Sequence, residues 1–461
     1  MLWQPSLPER YIKTTEAELA RAIAARKAEL GDRVVILGHH YQTDEVIQHA
    51  DHTGDSLKLS QTAAQVLGEH SGSGSHAKRS IIFCGVHFMA ETADILTPDN
   101  VSVILPDLSA GCSMADMADY DDAIIAWDTL HLALAAAVIN SGDAANSAAP
   151  ALKKTKAPKS AKSSAAPAPP APPAAPLKPW PGRIIPITYI NSSAAIKAFV
   201  GERGGAVCTS SNAKLVLEWA LAGGTQPRAK GEAIKVLFLP DQHLGRNTAA
   251  SLGYDVTTAT AIYDPRKASK GEPLGGMTEG QLVAAEVLLW AGHCSVHKLF
   301  RPEHIYAIRT AERELPSTDK THVLVHPECS KDVVDLADLA GSTEYIINTI
   351  AAAPPGSKWA IGTEVHLVGR LAKTAAKRAV SVRILSDCQC LCTTMYRIDQ
   401  PHILWVLDNL AEGKVVNQIK VHPKARELAL LALDRMLKLA PAVVPGAKAS
   451  PATLAAALPV D

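Results

Sequence analysis

The sequence repeats one pattern along most of its length, and this pattern constrains the fold more than any other feature. A short run rich in β-branched residues ends in polar residues and opens into a segment whose apolar residues have helical spacing. The first unit of this kind predicts strands at residues 34–37, 81–85 and 101–105, with a helix over 57–67. Strands that alternate with helices indicate parallel sheets with crossover connections, so the sequence predicts an α/β fold.

The same pattern continues through two further units. The second predicts strands at residues 184–190, 206–208, 236–239 and 287–290, and the third predicts strands at 323–326, 345–350, 359–361 and 382–385. A chain of 461 residues is too long for one hydrophobic core, and its length favours about three domains. In each unit the polar strand ends should meet at the carboxyl edge of a sheet, where α/β proteins bind ligands.

The composition is that of an ordinary globular protein, and it excludes several classes of function. Lysine and arginine together number 46, as do aspartate and glutamate, so we expect no nucleic-acid partner. The first residues lack the pattern of a signal peptide, and the most apolar helical run, residues 123–139, is broken by Asp128 and His131. We therefore expect a cytoplasmic protein with no membrane partner.

One segment departs from the α/β pattern. Residues 140–179 are dominated by Ala, Pro, Lys and Ser, have no periodicity and offer almost nothing to bury. We predict a disordered insertion that interrupts the second domain, and a mobile tail over residues 441–461.

Three cysteines, Cys112, Cys294 and Cys392, lie where three successive units end. Soft thiolates from three separate units can hold an iron–sulfur cluster at their junction while one iron keeps an open position and acts as a Lewis acid. Cys388 and Cys390, close to Cys392, could be alternative ligands, a redox pair or ordinary cysteines. A zinc site has little support, because the chain contains no Cys-x-x-Cys pair. Cys84 follows the apolar run of residues 81–83 and is interpreted as a small buried residue and not a ligand.

Polar residues that could bind anions lie at several predicted strand ends. These stretches are His39-His40-Tyr41-Gln42, Gly54-Asp55-Ser56, Tyr189-Ile190-Asn191, Cys208-Thr209-Ser210, His326-Pro327-Glu328 and Gly341-Ser342-Thr343. A Ser or Asp before a helix is most often only an N-cap, but the free N–H groups at helix starts can also hold phosphate or carboxylate. Several such stretches at one convergent edge favour the binding of small anions.

Eleven short motifs connect these residues to a known family. In chain order they are Gly-His-His-Tyr-Gln (38–42), Gly-Asp-Ser (54–56), Phe-Met-Ala-Glu (88–91), Gly-Cys-Ser-Met-Ala (111–115), Tyr-Ile-Asn-Ser (189–192), Cys-Thr-Ser-Ser-Asn (208–212), Gly-His-Cys-Ser-Val-His (292–297), His-Pro-Glu-Cys (326–329), Gly-Ser-Thr (341–343), Gly-Thr-Glu (362–364) and Cys-x-x-Met (392–395). With them the chain resembles the quinolinate synthases, iron–sulfur enzymes of de novo NAD biosynthesis. The resemblance covers nearly all of the chain outside the insertion and the termini.

The resemblance implies three similar three-layer αβα domains with parallel sheets around a pseudo-threefold axis, and a [4Fe-4S] cluster at the bottom of a central tunnel. We place the domains at residues 1–111, 112–293 and 294–399, with the C-terminal helices of residues 400–440 packed on the first domain. The implied cluster ligands are Cys112, Cys294 and Cys392, while Cys208 and Cys329 occupy no ligand position in the family pattern. Met395 completes the family's Cys-x-x-Met motif, which selects Cys392 over its two neighbours.

The resemblance also implies the reaction, in which iminoaspartate condenses with dihydroxyacetone phosphate and loses phosphate and two waters to give quinolinate. L-aspartate oxidase is the implied supplier of iminoaspartate. Two positions depart from the family pattern: His40 stands where Asn is frequent, and His87 stands where Asp is usual.

Residue roles follow from chemistry and from the resemblance together. Glu328 is the candidate general base, since a carboxylate in a dehydrated tunnel is expected to have a raised pKa. Tyr41 and Tyr189 are expected to donate hydrogen bonds to developing oxyanions. The predicted substrate-binding residues are His39, Ser56, Asn191, Ser210, His297, His326, Ser342 and Thr343.

Two other classes of function stay open from the residues alone. A non-catalytic iron–sulfur carrier needs the cysteines but has no need of polar edges on three units. An α/β hydrolase could use Cys208 or Ser210 as its nucleophile, although no Gly-x-Ser-x-Gly motif surrounds either residue.

Overall fold

Three sheets, each dominated by parallel strands and flanked by helices, form the framework of the protein. The structure is a computed structural model and describes residues 4–66, 79–146, 180–387 and 390–439. The predicted α/β class with three αβα domains is confirmed.

The first domain is built on four parallel strands in the order β4-β3-β1-β2. Its elements are α1 (Glu9–Ile12), α2 (Glu16–Leu30), β1 (Val34–His39), α3 (Asp44–Ile47), β2 (His52–Gly54), α4 (Ser56–Val66), β3 (Arg79–Cys84), α5 (His87–Leu96) and β4 (Val101–Ile104). Strands β1 and β3 are buried along almost their whole length, which explains their continuous apolar runs. The last residue of β1, His39, therefore emerges at the carboxyl edge of a buried sheet.

The second domain has five parallel strands in the order β6-β5-β7-β9-β8. Its elements are α6 (Tyr120–Asn146), β5 (Gly182–Tyr189), α7 (Ala194–Glu202), β6 (Ala206–Cys208), α8 (Ala213–Leu221), β7 (Ala233–Leu239), α9 (Gln242–Ser251), α10 (Val256–Ala259), β8 (Thr260–Tyr263), α11 (Pro265–Ala268), α12 (Glu279–Ala284) and β9 (Val287–Trp290). The first seven residues of the predicted insertion, 140–146, continue α6, and the rest of it lies outside the described residues.

The third domain has four parallel strands in the order β11-β10-β12-β13. Its elements are α13 (Pro302–Ala311), β10 (Thr321–Val325), α14 (Lys331–Leu336), β11 (Leu339–Ala340), α15 (Thr343–Ala352), β12 (Lys358–Gly362), α16 (Val365–Ala376) and β13 (Ser381–Ile384).

The strand predicted at residues 345–350 is wrong, because these residues lie within α15. Ile346 and Ile350, four residues apart, are both buried on one face of this helix. A short β-branched run is compatible with either structure, and here the N-cap at Ser342 starts a helix that buries both isoleucines.

The C-terminal residues 400–440 were expected on the first domain, and the structure divides them between two domains. They form α17 (Gln400–Ala411), β14 (Gln418–Ile419) and α18 (Pro423–Leu439), while residues 440–461 lie outside the described part. Asp408 of α17 accepts hydrogen bonds from Tyr11 at 2.9 Å and Arg26 at 2.7 Å, and β14 pairs antiparallel with β4. Helix α18 packs mainly on α7 of the second domain, where a Cβ at Gly201 would clash with the Leu428 carbonyl oxygen. Its Arg426 also contacts the first domain, since it donates to the carbonyl oxygen of Ile95 at 3.4 Å.

None of the helices in the described ranges combines the length and the apolar character that crossing a bilayer requires.

Candidate active site

One cavity, with about 740 Å³ of space unfilled by protein atoms, lies where residues of the three domains meet. Its walls include the residues that follow β1, β5, β6 and β10, which is the carboxyl edge that the strand pattern predicts as the ligand edge. Of the predicted site residues, those that line the cavity are His39, Tyr41, Ser56, Cys112, Tyr189, Asn191, Ser210, Cys294, His297, His326, Glu328, Thr343 and Cys392.

Ser342 does not line this cavity among the described residues. Its hydroxyl oxygen accepts a hydrogen bond from the Tyr345 amide at 3.3 Å and caps α15. The adjacent Thr343, the first residue of α15, does reach the cavity. The structure therefore assigns Ser342 a local structural contact and Thr343 a place in the wall.

The three cysteines of the cavity occupy the same local structure in three places. Cys112 follows β4, Cys294 follows β9 and Cys392 follows β13, so each lies just beyond the last strand of a domain. The carbonyl oxygen of each cysteine accepts a hydrogen bond of 3.1 Å from the amide four residues later, within a 3₁₀ turn. Helices α6, α13 and α17 each begin eight residues after the corresponding cysteine. The same turn, repeated three times, thus places one thiol in the cavity wall after the last strand of each domain.

The chemistry of these thiols fits an iron–sulfur group. Burial raises the pKa of the Cys112 thiol to about 12, and it raises the pKa values of Cys294 and Cys392 as well. Backbone N–H groups of the following turn hydrogen-bond to each sulfur and favour the thiolate. A metal that binds here must displace the protons, and soft iron or zinc centres do so readily.

A second group of possible metal ligands shares one of these cysteines. The ligand atoms of Cys294, His297 and Glu328 lie within 4.8 Å of one another. The His297 and Glu328 side chains are already hydrogen-bonded to each other, at 2.9 Å. The site therefore contains residues able to hold a metal. In this group Cys294 is the member that is not hydrogen-bonded to another side chain of the group.

The other described cysteines lie away from this cavity. Cys84, Cys208, Cys329 and Cys390 are fully buried, with no exposed surface, and none lines the cavity. Cys390 belongs to the core of the third domain, and Cys388 lies outside the described residues. Of the two described cysteines in this short stretch, only Cys392 reaches the cavity.

A chain of hydrogen bonds crosses the cavity wall from the second domain to the third. The Tyr189 hydroxyl donates to Glu328 Oε1 at 2.5 Å, and His297 Nδ1 lies 2.9 Å from Glu328 Oε2. Both carboxylate oxygens of Glu328 are thereby occupied, and its side chain is nearly inaccessible to solvent. The carboxylate is held in one orientation by partners from two domains.

Thr363 extends this chain to the first domain, and sequence reasoning did not assign it a role. Its Oγ1 lies 3.1 Å from His297 Nε2 and 2.9 Å from the Tyr41 hydroxyl. The Tyr41 hydroxyl also lies 3.2 Å from Thr343 Oγ1. Thr363 directly follows β12 in the Gly-Thr-Glu motif. Its position at a strand end is the feature of the sequence that could have identified it as a site residue. Glu328 and Tyr41 are linked through two bridging side chains.

The expected rise in the pKa of Glu328 is wrong, because its pKa is lowered. Burial alone raises the pKa of this carboxyl group, but its interaction with His297 and its hydrogen bonds from His297 and Tyr189 outweigh that cost. A carboxylate that accepts such hydrogen bonds is stabilised in its ionised form. Glu328 is therefore an anion at neutral pH.

His39 and His326 are neutral rings in the wall. Burial, together with neighbouring positive groups, lowers the pKa of each to about 3. His39 Nδ1 accepts the Tyr41 backbone N–H at 3.1 Å, and His326 Nδ1 accepts that of Glu328 at 3.4 Å. Since Nδ1 is the acceptor, each neutral ring carries its proton on Nε2 and can donate from that atom.

Two aspartates near these residues were not predicted to belong to the site. Asp55 lines the cavity, and its Oδ1 accepts a hydrogen bond from the Lys58 amide at 2.9 Å at the start of α4. Asp241 is fully buried, and its Oδ1 accepts from the amides of His243 and Leu244 at the start of α9. Asp241 also accepts from the Cys294 amide, so it supports one cysteine turn.

The two departures from the family pattern both contact carboxylates. His40 Nε2 lies 3.2 Å from Glu344 Oε1, and His87 Nδ1 lies 3.9 Å from Glu91 Oε2. Neither histidine lines the cavity. The two departures therefore lie outside the cavity wall, next to residues that line it.

Comparisons with known proteins identify the family of this chain. Residues 21–438 match the family model described as "Quinolinate synthetase A protein". The chain is 43% identical to a quinolinate synthase of Acidobacterium capsulatum, over 94% of this chain and 95% of that protein. It is 47% identical to that of a Nocardioides species over 92% and 90% of the two chains, and 46% identical to that of Herpetosiphon aurantiacus over 94% and 95%. The chain belongs to the quinolinate synthase family.

Proposed function

We propose that this protein is a quinolinate synthase that condenses iminoaspartate with dihydroxyacetone phosphate, giving quinolinate, phosphate and water in de novo NAD biosynthesis. One observation carries the proposal beyond family membership: three thiols from repeated turns line the same cavity as Tyr41, Tyr189, His297 and Glu328. Together with Thr363, these four side chains form the chain of hydrogen bonds that is called the acid/base wall below. A condensation that removes water and phosphate needs both kinds of group in one place. We place the reaction in the cytoplasm, with L-aspartate oxidase as the supplier of iminoaspartate.

Cys112, Cys294 and Cys392 would hold a [4Fe-4S] cluster, with one iron left without a protein ligand. When bound, such a cluster supplies a Lewis acid that polarises an oxygen or nitrogen of the substrate. The shared turn supports this assignment, because each cysteine has the same distance in sequence to its following helix. Cys390, although close in sequence, faces the core of the third domain.

The polar residues of the first and second domains would bind the substrate anions. Ser56 and Ser210 line the cavity and can donate hydroxyl groups to phosphate or carboxylate oxygens. Asn191 Oδ1 is buried and has no hydrogen-bond partner within the described residues, so it is available to accept from the substrate. His39 adds a donor at Nε2. These groups recognise two anions without a large excess of positive charge.

Glu328 and Tyr189 would move protons together. The proton of their 2.5 Å hydrogen bond rests on Tyr189, because burial raises the pKa of Tyr189 while the pKa of Glu328 is lowered. Glu328 would take up that proton only in the same step in which the tyrosine oxygen receives a proton from the substrate. His297 holds the other carboxylate oxygen and stabilises the negative charge. On the far side of Thr363, Tyr41 can donate to an oxyanion as charge develops. His326, stacked on His297 with ring centres 4.5 Å apart, would orient a substrate carboxylate.

The alternative functions gain no support from the cavity. A carrier has no use for the chain of hydrogen bonds through Glu328. Cys208, one candidate nucleophile of a hydrolase, has no exposed surface and does not line the cavity. Burial also raises the pKa of its thiol far above the usual range, which keeps it protonated.

The test is product formation by anaerobically reconstituted protein. Given dihydroxyacetone phosphate and freshly generated iminoaspartate, the protein should release quinolinate and phosphate in equal amounts, as measured by chromatography and a phosphate assay. Exposure to air should stop the reaction as the exposed cluster degrades. The matched control is the same preparation without iron and sulfide, and full activity in that control would refute the proposed mechanism.

A further inference from the structure

Lys197 is a buried cation to which the proposed reaction assigns no role. It lies on α7, and its side chain has no exposed surface. Burying an ammonium group is costly unless an opposite charge or several hydrogen bonds compensate. Natural proteins therefore seldom bury a lysine without a partner.

The partners that the protein itself provides are few. Lys197 Nζ donates to the Ser192 carbonyl oxygen, and no carboxylate oxygen of the described residues lies within 4.0 Å of it. The carboxylate of Glu91 acts on this charge from a longer distance, but its Oε2 already accepts the Ala194 amide at 2.9 Å. The positive charge of Lys197 is thus only partly balanced by the polypeptide.

The place of this charge is next to one of the cysteine turns. Lys197 Nζ lies 5.4 Å from the centre of the Phe88 ring, and Phe88 lines the cavity together with Cys112. The helix that carries Phe88 begins beside this turn, because the His87 amide donates to the Ala110 carbonyl oxygen at 2.8 Å. A cubane cluster held by three thiolates carries a net negative charge, and this charge would appear at that wall.

We infer that Lys197 is the counter-cation of the iron–sulfur cluster, held behind the Cys112 turn at a fixed position in the second domain. The inference rests on the proposed function, because the cluster is its anionic partner. Lys197 is a positioning residue and not a catalytic one, since it does not line the cavity. A fixed positive charge near a cluster favours its more negative, reduced state and draws electron density from the irons.

A redox titration of the reconstituted protein tests this inference directly. In Lys197→Met the cluster should lose a neighbouring positive charge, so its reduction should become about tenfold less favourable, a shift of about 59 mV to more negative potential for a one-electron couple. Lys197→Arg keeps the charge and should stay close to the parent. The potential is read by visible absorbance or electron paramagnetic resonance, independently of turnover.

Lys235 provides a matched control within the same domain. It is also buried, and it donates to the carbonyl oxygens of Val283 and Ala285 at the end of α12. Lys235 lies near the start of β7, at the edge of the sheet opposite the cavity. Lys235→Met removes a buried cation, 6% exposed, and should leave the potential of the cluster unchanged.

Thermal unfolding of the cluster-free and cluster-loaded proteins separates an electrostatic role from a structural one. If Lys197 is the counter-cation, Lys197→Met should reduce the rise in Tm that loading produces, because the cluster loses a partner that only the loaded state has. Equal Tm losses with and without the cluster, together with an unchanged potential, would show that Lys197 only supports the Ser192 loop and would overturn the inference.

The failure of the proposed function would look different. Iron and sulfide analysis of the parent protein would then show no cluster, or the parent would hold a cluster and release no quinolinate in the product assay, before any variant is made. A Lys197→Met chain that folds but takes up no cluster, beside a Lys197→Arg chain that does, would support the inference, because the two differ in charge at one position.

Discussion

The cysteine turns and the acid/base wall of the same cavity are built in opposite ways. The turns repeat one local structure three times, with the same hydrogen bond and the same spacing to a helix. The wall is unequal, because the third domain supplies Glu328, His297 and Thr363, while the other domains supply one tyrosine each.

This difference indicates that repeating one turn in three domains can build the cysteine part of the site but not the acid/base wall. Three equal thiols suit a cluster whose corners are chemically alike, so a repeated turn is sufficient to anchor it. Proton transfer has a direction and needs different groups on each side of the substrate. The wall therefore cannot be symmetric, and its members depend on one another across the domain boundaries.

The largest effect is expected when one of the three equal turns is broken. Cys112→Ala, Cys294→Ala and Cys392→Ala should each abolish stable cluster incorporation and activity, because two thiolates cannot hold the cubane at the junction. Absorbance and iron analysis after anaerobic reconstitution measure this loss. Cys84→Ala is the control and should load normally.

The choice of the third ligand has its own discriminating result. A full cluster spectrum in Cys392→Ala, with loss of the cluster in Cys390→Ala or Cys388→Ala, would show that the repeated turn does not mark the ligands.

A smaller loss is expected when the wall is changed and the anchors are kept. Glu328→Gln preserves shape but removes the proton acceptor that joins Tyr189 to His297, so turnover should fall by about 10²–10⁴-fold. The absorption spectrum of the cluster should not change. Turnover within about twofold of the parent, with the cluster intact, would remove Glu328 from the mechanism.

Thr363→Val should have a moderate effect, since it deletes one bridging hydroxyl and keeps the volume. The variant separates His297 from Tyr41 and should lower kcat by about tenfold, the value of one hydrogen bond of about 1.4 kcal/mol. Thr349→Val is the matched control, because the Thr349 hydroxyl is buried without a partner in the described part of the chain. Equal kcat values in the two variants would contradict a bridging role for Thr363.

The smallest effect on activity is expected for Ser342→Ala. The hydroxyl caps α15 and lies outside the wall, so its loss should lower the free energy of unfolding by about 0.5–2 kcal/mol. Chemical denaturation measures that change, and the KM values should stay within about twofold of the parent. A large rise in KM with unchanged stability would restore Ser342 to the substrate-binding set.

Much of this architecture could be predicted from local sequence. Buried parallel strands leave continuous apolar runs, so β1, β5 and β10 were recognisable, and polar residues after them marked the ligand edge. The run at residues 345–350 failed because β-branched residues on one face of a helix resemble a short buried strand.

The electrostatics of the site could not be predicted in the same way. The pKa of Glu328 depends on Tyr189, which lies 139 residues away in the sequence, and on His297, which lies 31 residues away. From the sequence only the burial of Glu328 could be predicted, and burial raises the pKa of the carboxyl group, whereas these contacts lower it. Thr363 was missed for a related reason, since its role exists only where His297 and Tyr41 meet.

The position of the third turn has a consequence for how the protein is made. Beyond Cys392 the structure describes α17, β14 and α18, which pack on the first two domains. A chain still being synthesised therefore has Cys112 and Cys294 before it has Cys392 and these three elements. If the three thiols hold a cluster, that cluster can be completed only after the third domain has been made.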